Sequence, residues 1–188
     1  MKSSKLILNI FLTLAALGLA YYLYYIIQQP IIFEENKKVR HKAMVERLKD
    51  SREAQMAYKD LTGVFASKWS DLIDSIKYAD YPQVKIIGNP DDTTQAVIYD
   101  TTYVPLKSRV FKDSYIVDSL KYIPFTNGKE VMDINAGEIK VNKVDVKVFE
   151  ITAAEKKLLN GLNKDYIDPD FVYRVGSMSQ ATYSGNWE

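Results

Sequence analysis

The 188-residue chain has no cysteine, which excludes disulfides, thiolate nucleophiles and cysteine metal sites together. It has one histidine, His41, so any Ser-His-Asp device or multi-histidine metal site would have to pass through that residue. His41 sits in Lys38-Val39-Arg40-His41-Lys42, a charged stretch that reads as a solvated helix face. Glycine is sparse as well. The eight glycines are scattered singly, and no loop can cradle a phosphate. Neither sign of charge dominates, since Lys+Arg number 25 against 24 for Asp+Glu. That balance gives a nucleic-acid role no electrostatic basis. Internal repeats and low-complexity tracts are also missing.

What the chain does have is an apolar run without a charge, Leu6–Ile27. As a helix it would rise about 33 Å, enough for a bilayer core of about 30 Å. Tyr21, Tyr22, Tyr24 and Tyr25 cluster at one end, where a ring can lie in acyl chain with its hydroxyl among headgroups. We therefore expect a single membrane anchor at 6–27, a short cytoplasmic tail at 1–5, a juxtamembrane helix over 28–62 and an extracytoplasmic domain over 63–188. Lys2 and Lys5 favour a cytoplasmic N-terminus, whereas Lys37, Lys38, Arg40 and Lys42 beyond the run argue the other way. The short basic region before an apolar stretch is the plan of a signal anchor, so the domain is placed outside the cytoplasmic membrane. Cleavage after Ala20, in Gly18-Leu19-Ala20, is the alternative.

Pro30 reads as a break or kink where the chain leaves the bilayer. Beyond it, Glu34–Lys59 is rich in helix formers. Met44, Leu48, Gln55, Tyr58 and Leu61, with Ser51 and Ala54, form a narrow stripe that ends near Gly63. Glu34–Lys42 is polar nearly all round and is expected to stay exposed or meet a partner. Phe65, Trp69, Leu72, Ile73 and Ile76 predict a second helix with Ser67 as cap. Strands are expected at Val84–Ile87 and Gln95–Val104, with a loop at Gly88–Asp92 between them.

Ser119–Phe125 and Lys129–Ile134 flank Thr126-Asn127-Gly128, a hairpin signal. Ile139, Val141, Val144, Val146 and Val148 alternate, with a bulge or turn at Asn142-Lys143, and the valines at 144–148 read as core. Ala153–Leu162 suggests a short helix, followed by a strand at Phe171-Val172-Tyr173. Helices first and strands later predict an α+β fold with an antiparallel sheet.

Candidate chemistry is thin. Asp165, Asp168 and Asp170 surround Pro169, and Asp91-Asp92 follow Pro90. They could ligate Ca²⁺, but the glycine and distal glutamate of an EF-hand loop are missing, and loop solvation or helix capping explains them. The basic run Lys37–Lys42 could touch anionic headgroups.

Arg52-Glu53-Ala54-Gln55-Met56-Ala57-Tyr58, followed by Gly63-Val64-Phe65, resembles the register before the first loop of the major pseudopilin of type II secretion. The terminal Gly185-Asn186-Trp187 is similar to the end of that family. The resemblance implies an anchor helix, a long exposed helix laid on an antiparallel sheet, and a place in a secretion machine. The chain lacks that family's leader ending in Gly before Phe and its glutamate early in the apolar run. Tyr122-Ile123-Pro124-Phe125-Thr126 and Gly185-Asn186-Trp187-Glu188 resemble stretches of single-pass envelope proteins of Bacteroidota, a likeness that supplies no activity.

The expectation is a non-catalytic, membrane-anchored envelope protein with no catalytic, cofactor-binding or metal residue assigned and no cofactor. Its partners would be the lipid bilayer, through residues 6–27, and other envelope proteins, with oligomers open and no nucleic acid. The alternative is a membrane-tethered hydrolase or glycan-binding protein using paired carboxylates such as Asp168 and Asp170.

Overall fold

The computed structural model describes residues 2–87 and 98–188. The fold class is α+β, with a long N-terminal apolar helix and antiparallel sheets. Helix α1 runs from Lys2 to Thr62 and passes through Pro30 without ending, so of the expected break or kink the break does not occur. Stopping there would leave unpaired amides and carbonyls on both sides and require a second helix nucleus. Carrying the helix across Pro30 forfeits one amide donor. From Ile7 to Ile27 every side chain of α1 is exposed, with Leu19 at 69% and Tyr21 at 72%. This span is long and apolar enough to cross a membrane.

Past Phe33 the same helix becomes part of the core. Phe33, Met44, Leu48, Ala54 and Ala57 are buried against the rest of the chain. The expected stripe is present from Met44 onward, but the polar stretch before it is not free. Lys37, Arg40 and His41 precede Met44 at helical spacing on the same face, and all three reach the domain through polar atoms. Val39 points away and is 61% exposed. The expectation that Glu34–Lys42 stands clear of its own domain is thus corrected, because this stretch docks through polar side chains, which leave no apolar stripe.

Helix α2 spans Trp69–Tyr78 and buries Trp69, Leu72, Ile73 and Ile76. It starts at Lys68 without a side-chain cap, so Ser67 is not the cap. Phe65 is buried from the preceding loop, between Phe149 and Tyr183. Gln55 holds that loop to α1, donating to the Ala66 carbonyl and accepting from the Ala66 amide, both at 2.9 Å.

Strands β1 (Asp80–Ile87) and β2 (Ile98–Pro105) form a two-stranded antiparallel ribbon that leads into α3 (Leu106–Val110). The expected loop at Gly88–Asp92 and the first residues of Gln95–Val104 lie outside the described residues. Around Asn127-Gly128 the turn is as read, with both residues at positive φ and Lys129 donating to the Thr126 carbonyl at 3.1 Å. Its expected strands shrink to one bridge, Tyr122 to Val131, after a 3-10 turn at Val117–Lys121. Pro124 lacks a donor and Phe125 takes φ 63°, so the ladder cannot extend.

The main sheet has the order β3-β4-β5, formed by Asp133–Val141, Val144–Ala154 and Val172–Gly176. Asn142 and Lys143, both at positive φ, make the turn between β3 and β4. The main core face of β4 is Phe149, Ile151 and Ala153, and of the valines at 144–148 only Val148 is buried. Val144 is 62% exposed, and Val148 is buried outside the main core cluster. The expected helix over Ala153–Leu162 shortens to α4, Glu155–Leu158, because the two alanines complete β4.

The C-terminal stretch clamps this sheet. Asn186 donates from Nδ2 to the Val172 carbonyl at 2.7 Å and accepts from the Arg174 amide at 3.0 Å. Glu188 pairs with Arg52 of α1 at 2.8 Å. Gly176 lies at φ 74°, and a Cβ there would fall 2.2 Å from the Phe149 carbonyl oxygen, so only glycine fits.

Candidate functional site

In an antiparallel ribbon, residues opposite each other share a face, and alternate pairs face opposite ways. The register pairs Tyr81 with Val104, Gln83 with Thr102 and Lys85 with Asp100 on one face. Pro82 with Tyr103 and Val84 with Thr101 lie on the other, where Tyr99 also sits. The first face is polar in its middle, at Gln83, Thr102, Lys85 and Asp100, and at its root Tyr81 and Val104 are half-buried. The second is apolar and open, with Val84 at 52%, Tyr99 at 62% and Tyr103 at 68% exposure. Among the described residues neither strand has a further sheet neighbour. Pro82 blunts the outer edge of β1, while β2 carries no proline before Pro105 and keeps an open edge.

The ribbon is held at its root. Arg109 of α3 lays its guanidinium 3.9 Å from the centre of the Tyr81 ring and pairs with Asp60 of α1 at 2.9 Å. Leu106 donates to the Ala79 carbonyl at 2.9 Å, which closes the base where β2 meets α3. An apolar face on a two-stranded ribbon gains nothing in water, since such ribbons are marginal alone. It gains when a partner covers it.

The single histidine is not simply a solvated face residue. His41 Nδ1 lies 3.0 Å from the Tyr173 hydroxyl, which donates to Glu155 Oε1 at 3.4 Å. Glu155 is 2% exposed, and Lys37 pairs with the same oxygen at 3.1 Å, while Oε2 has no partner among the described residues. Burial and the neighbouring Glu155 charge push the Tyr173 phenol well up. Of the basic run, Lys37 and Arg40 are thus committed to the domain, Arg40 donating to the carbonyls of Leu158 and Asn160 at 2.8 and 3.0 Å.

Asp165, Asp168 and Asp170 are exposed. Asp168 accepts the Asp170 amide at 3.0 Å, and Asn163 accepts that of Asp165 at 3.1 Å, so this segment is occupied with its own turns. Among the described residues no three metal-ligating side chains converge. Asp91 and Asp92 lie outside them.

Two other carboxylates do share a concavity. Asp50 and Glu53, one helical turn apart on α1, line a cleft of about 490 Å³ with Phe111, Ser114 and Tyr115. Tyr115 donates to Asp50 at 2.7 Å and stacks on Phe111, with ring centres 4.2 Å apart. Burial, the largest influence, raises the Asp50 carboxyl above its ordinary value despite that hydrogen bond. Sequence reading missed this pair because nothing local to Asp50 announces the loop that folds over it. It missed the apolar ribbon face because part of that face alternates across two strands. No family model, curated protein or solved structure matches the chain.

Proposed function

We propose that this is a non-catalytic, membrane-anchored envelope protein whose outer domain docks other proteins through the open face and edge of the β1–β2 ribbon. The observation that carries the reading is the exposed apolar row of Val84, Tyr99 and Tyr103 on a ribbon fixed rigidly at its root. Lys2 and Lys5, on the N-terminal side of the apolar span, support a domain outside the cytoplasmic membrane. The likeness of Arg52–Tyr58 and Gly185–Trp187 to pseudopilins suggests a secretion or surface-assembly machine as the setting.

The test is purification of the full-length chain in detergent from its own membranes, beside a Tyr99→Ser/Tyr103→Ser variant. A stoichiometric partner that accompanies the wild type and is lost from an equally stable variant supports the reading. Undiminished recovery with the variant overturns it.

The cleft holding Asp50 and Glu53 favours a second reading, a tethered hydrolase or glycan-binding protein. Glycan binding by the full-length chain that Asp50→Asn and Glu53→Gln abolish would establish it.

A further inference from the structure

Where α1 leaves the domain, the segment after α4 folds under it. Phe33 packs against Tyr166 with ring centres 5.3 Å apart. Phe33 is six residues beyond Ile27, which places this contact about 9 Å past the end of the apolar span. Beside it opens a cavity of about 340 Å³, whose lining includes the polar Lys156, Asn160 and Lys164 and the apolar Leu162, Ile167 and Pro169. Lys157 is paired with Glu130 at 3.1 Å. Neither Lys156 nor Lys164 forms an ion pair among the described residues.

The end of a helix presents carbonyls that repel an anion. Here Arg40 already occupies the carbonyl of Leu158 at that end and that of Asn160 just beyond it, and brings its own charge alongside. The three aspartates of the following loop line no part of the cavity. A ligand that satisfies this lining carries an anionic group for the lysines and an apolar portion for the leucine, isoleucine and proline.

We infer that this cavity binds the headgroup of an anionic phospholipid from the bilayer that holds the anchor. The bilayer is the source because the cavity lies at the end of the domain where the apolar span begins. The inference rests on the anchor reading and is independent of the ribbon. Occupancy would fix the tilt of the domain over the membrane.

The test places the full-length chain in nanodiscs of phosphatidylcholine with or without phosphatidylglycerol and counts retained lipid by native mass spectrometry. Phosphatidylglycerol should be retained over phosphatidylcholine, and Lys156→Gln/Lys164→Gln should lower that preference by about 25-fold, at about fivefold per lysine. Lys143→Gln, in the β3–β4 turn, should leave it unchanged. Melting curves taken alongside separate loss of binding from loss of fold, and Ile167→Ser supplies a second variant that should also weaken retention.

Equal retention of both lipids by the wild type, or an undiminished preference in the double variant, overturns the site. Full displacement by glycerol 3-phosphate would show a soluble anion as the ligand and overturn the lipid source. A chain that does not enter nanodiscs overturns the anchor and the source together.

Discussion

The Arg109 guanidinium sits 3.9 Å from the centre of the Tyr81 ring, and this contact fixes the β1–β2 ribbon to the domain. Asp60, at 2.9 Å from the same guanidinium, ties the arrangement to α1. Arg109→Ala should therefore loosen the ribbon without unfolding the domain. The cation–π contact is worth about 0.5–2 kcal/mol, and the exposed ion pair adds less. Hydrogen exchange should quicken at Asp80–Gln83 and Thr102–Val104 while the amides of β4 keep their protection.

Leu48 is fully buried and Val39 is 61% exposed on the same helix. Leu48→Ala should cost about 2–5 kcal/mol in denaturant unfolding, and Val39→Ala less than about 0.5 kcal/mol. Comparable losses would mean that the two faces of α1 have been assigned wrongly.

The stripe that predicts this contrast was visible as Met44, Leu48, Ser51, Ala54 and Gln55, because apolar and small residues at helical spacing announce a buried face. Its continuation through Lys37, Arg40 and His41 was not. Polar docking depends on partners far along the chain, Glu155, Leu158 and Tyr173, and local periodicity carries no trace of them. The turns at Asn127-Gly128 and Asn142-Lys143 were readable because positive φ selects those residues. The strands around the first turn were overread, since Pro124 limits them to one bridge. Valine spacing pointed to the core along β4 only at Val148, which is buried, whereas Val144 is exposed and Phe149 and Ile151 on the opposite parity take the main core. The apolar span was legible in full, because length and composition alone define it.

Lys37 compensates a carboxylate that is almost entirely buried. Lys37→Met should destabilise the chain by about 1–3 kcal/mol by leaving the Glu155 charge unpaired. Adding Glu155→Gln should recover much of that loss. A double variant no better than Lys37→Met would show that Lys37 acts through its stem rather than its charge.

The Asp50 carboxyl is raised above 3.8 by burial, so the folded chain holds its proton more tightly than the unfolded chain does. For a raised acid, the stability cost of ionisation is absent below pH 3.8, where both states are protonated, and is complete once pH passes the folded value. Asp50→Asn keeps an oxygen for the Tyr115 hydroxyl and removes that cost. Its stability should meet or exceed that of wild type at neutral pH, with the gap closing as pH falls into the acid range. Urea unfolding across pH checks the sign, and a gap that widens on acidification would contradict it.

Ribbon docking is tested most directly by a photoreactive benzoylphenylalanine introduced at Tyr103 of the full-length chain, irradiated in intact cells. Thr102, its neighbour on the opposite face, is the control. The account predicts a discrete protein adduct from position 103, absent from position 102 and lost when Tyr99→Ser is added. No adduct from 103, or the same adduct from both positions, would contradict it.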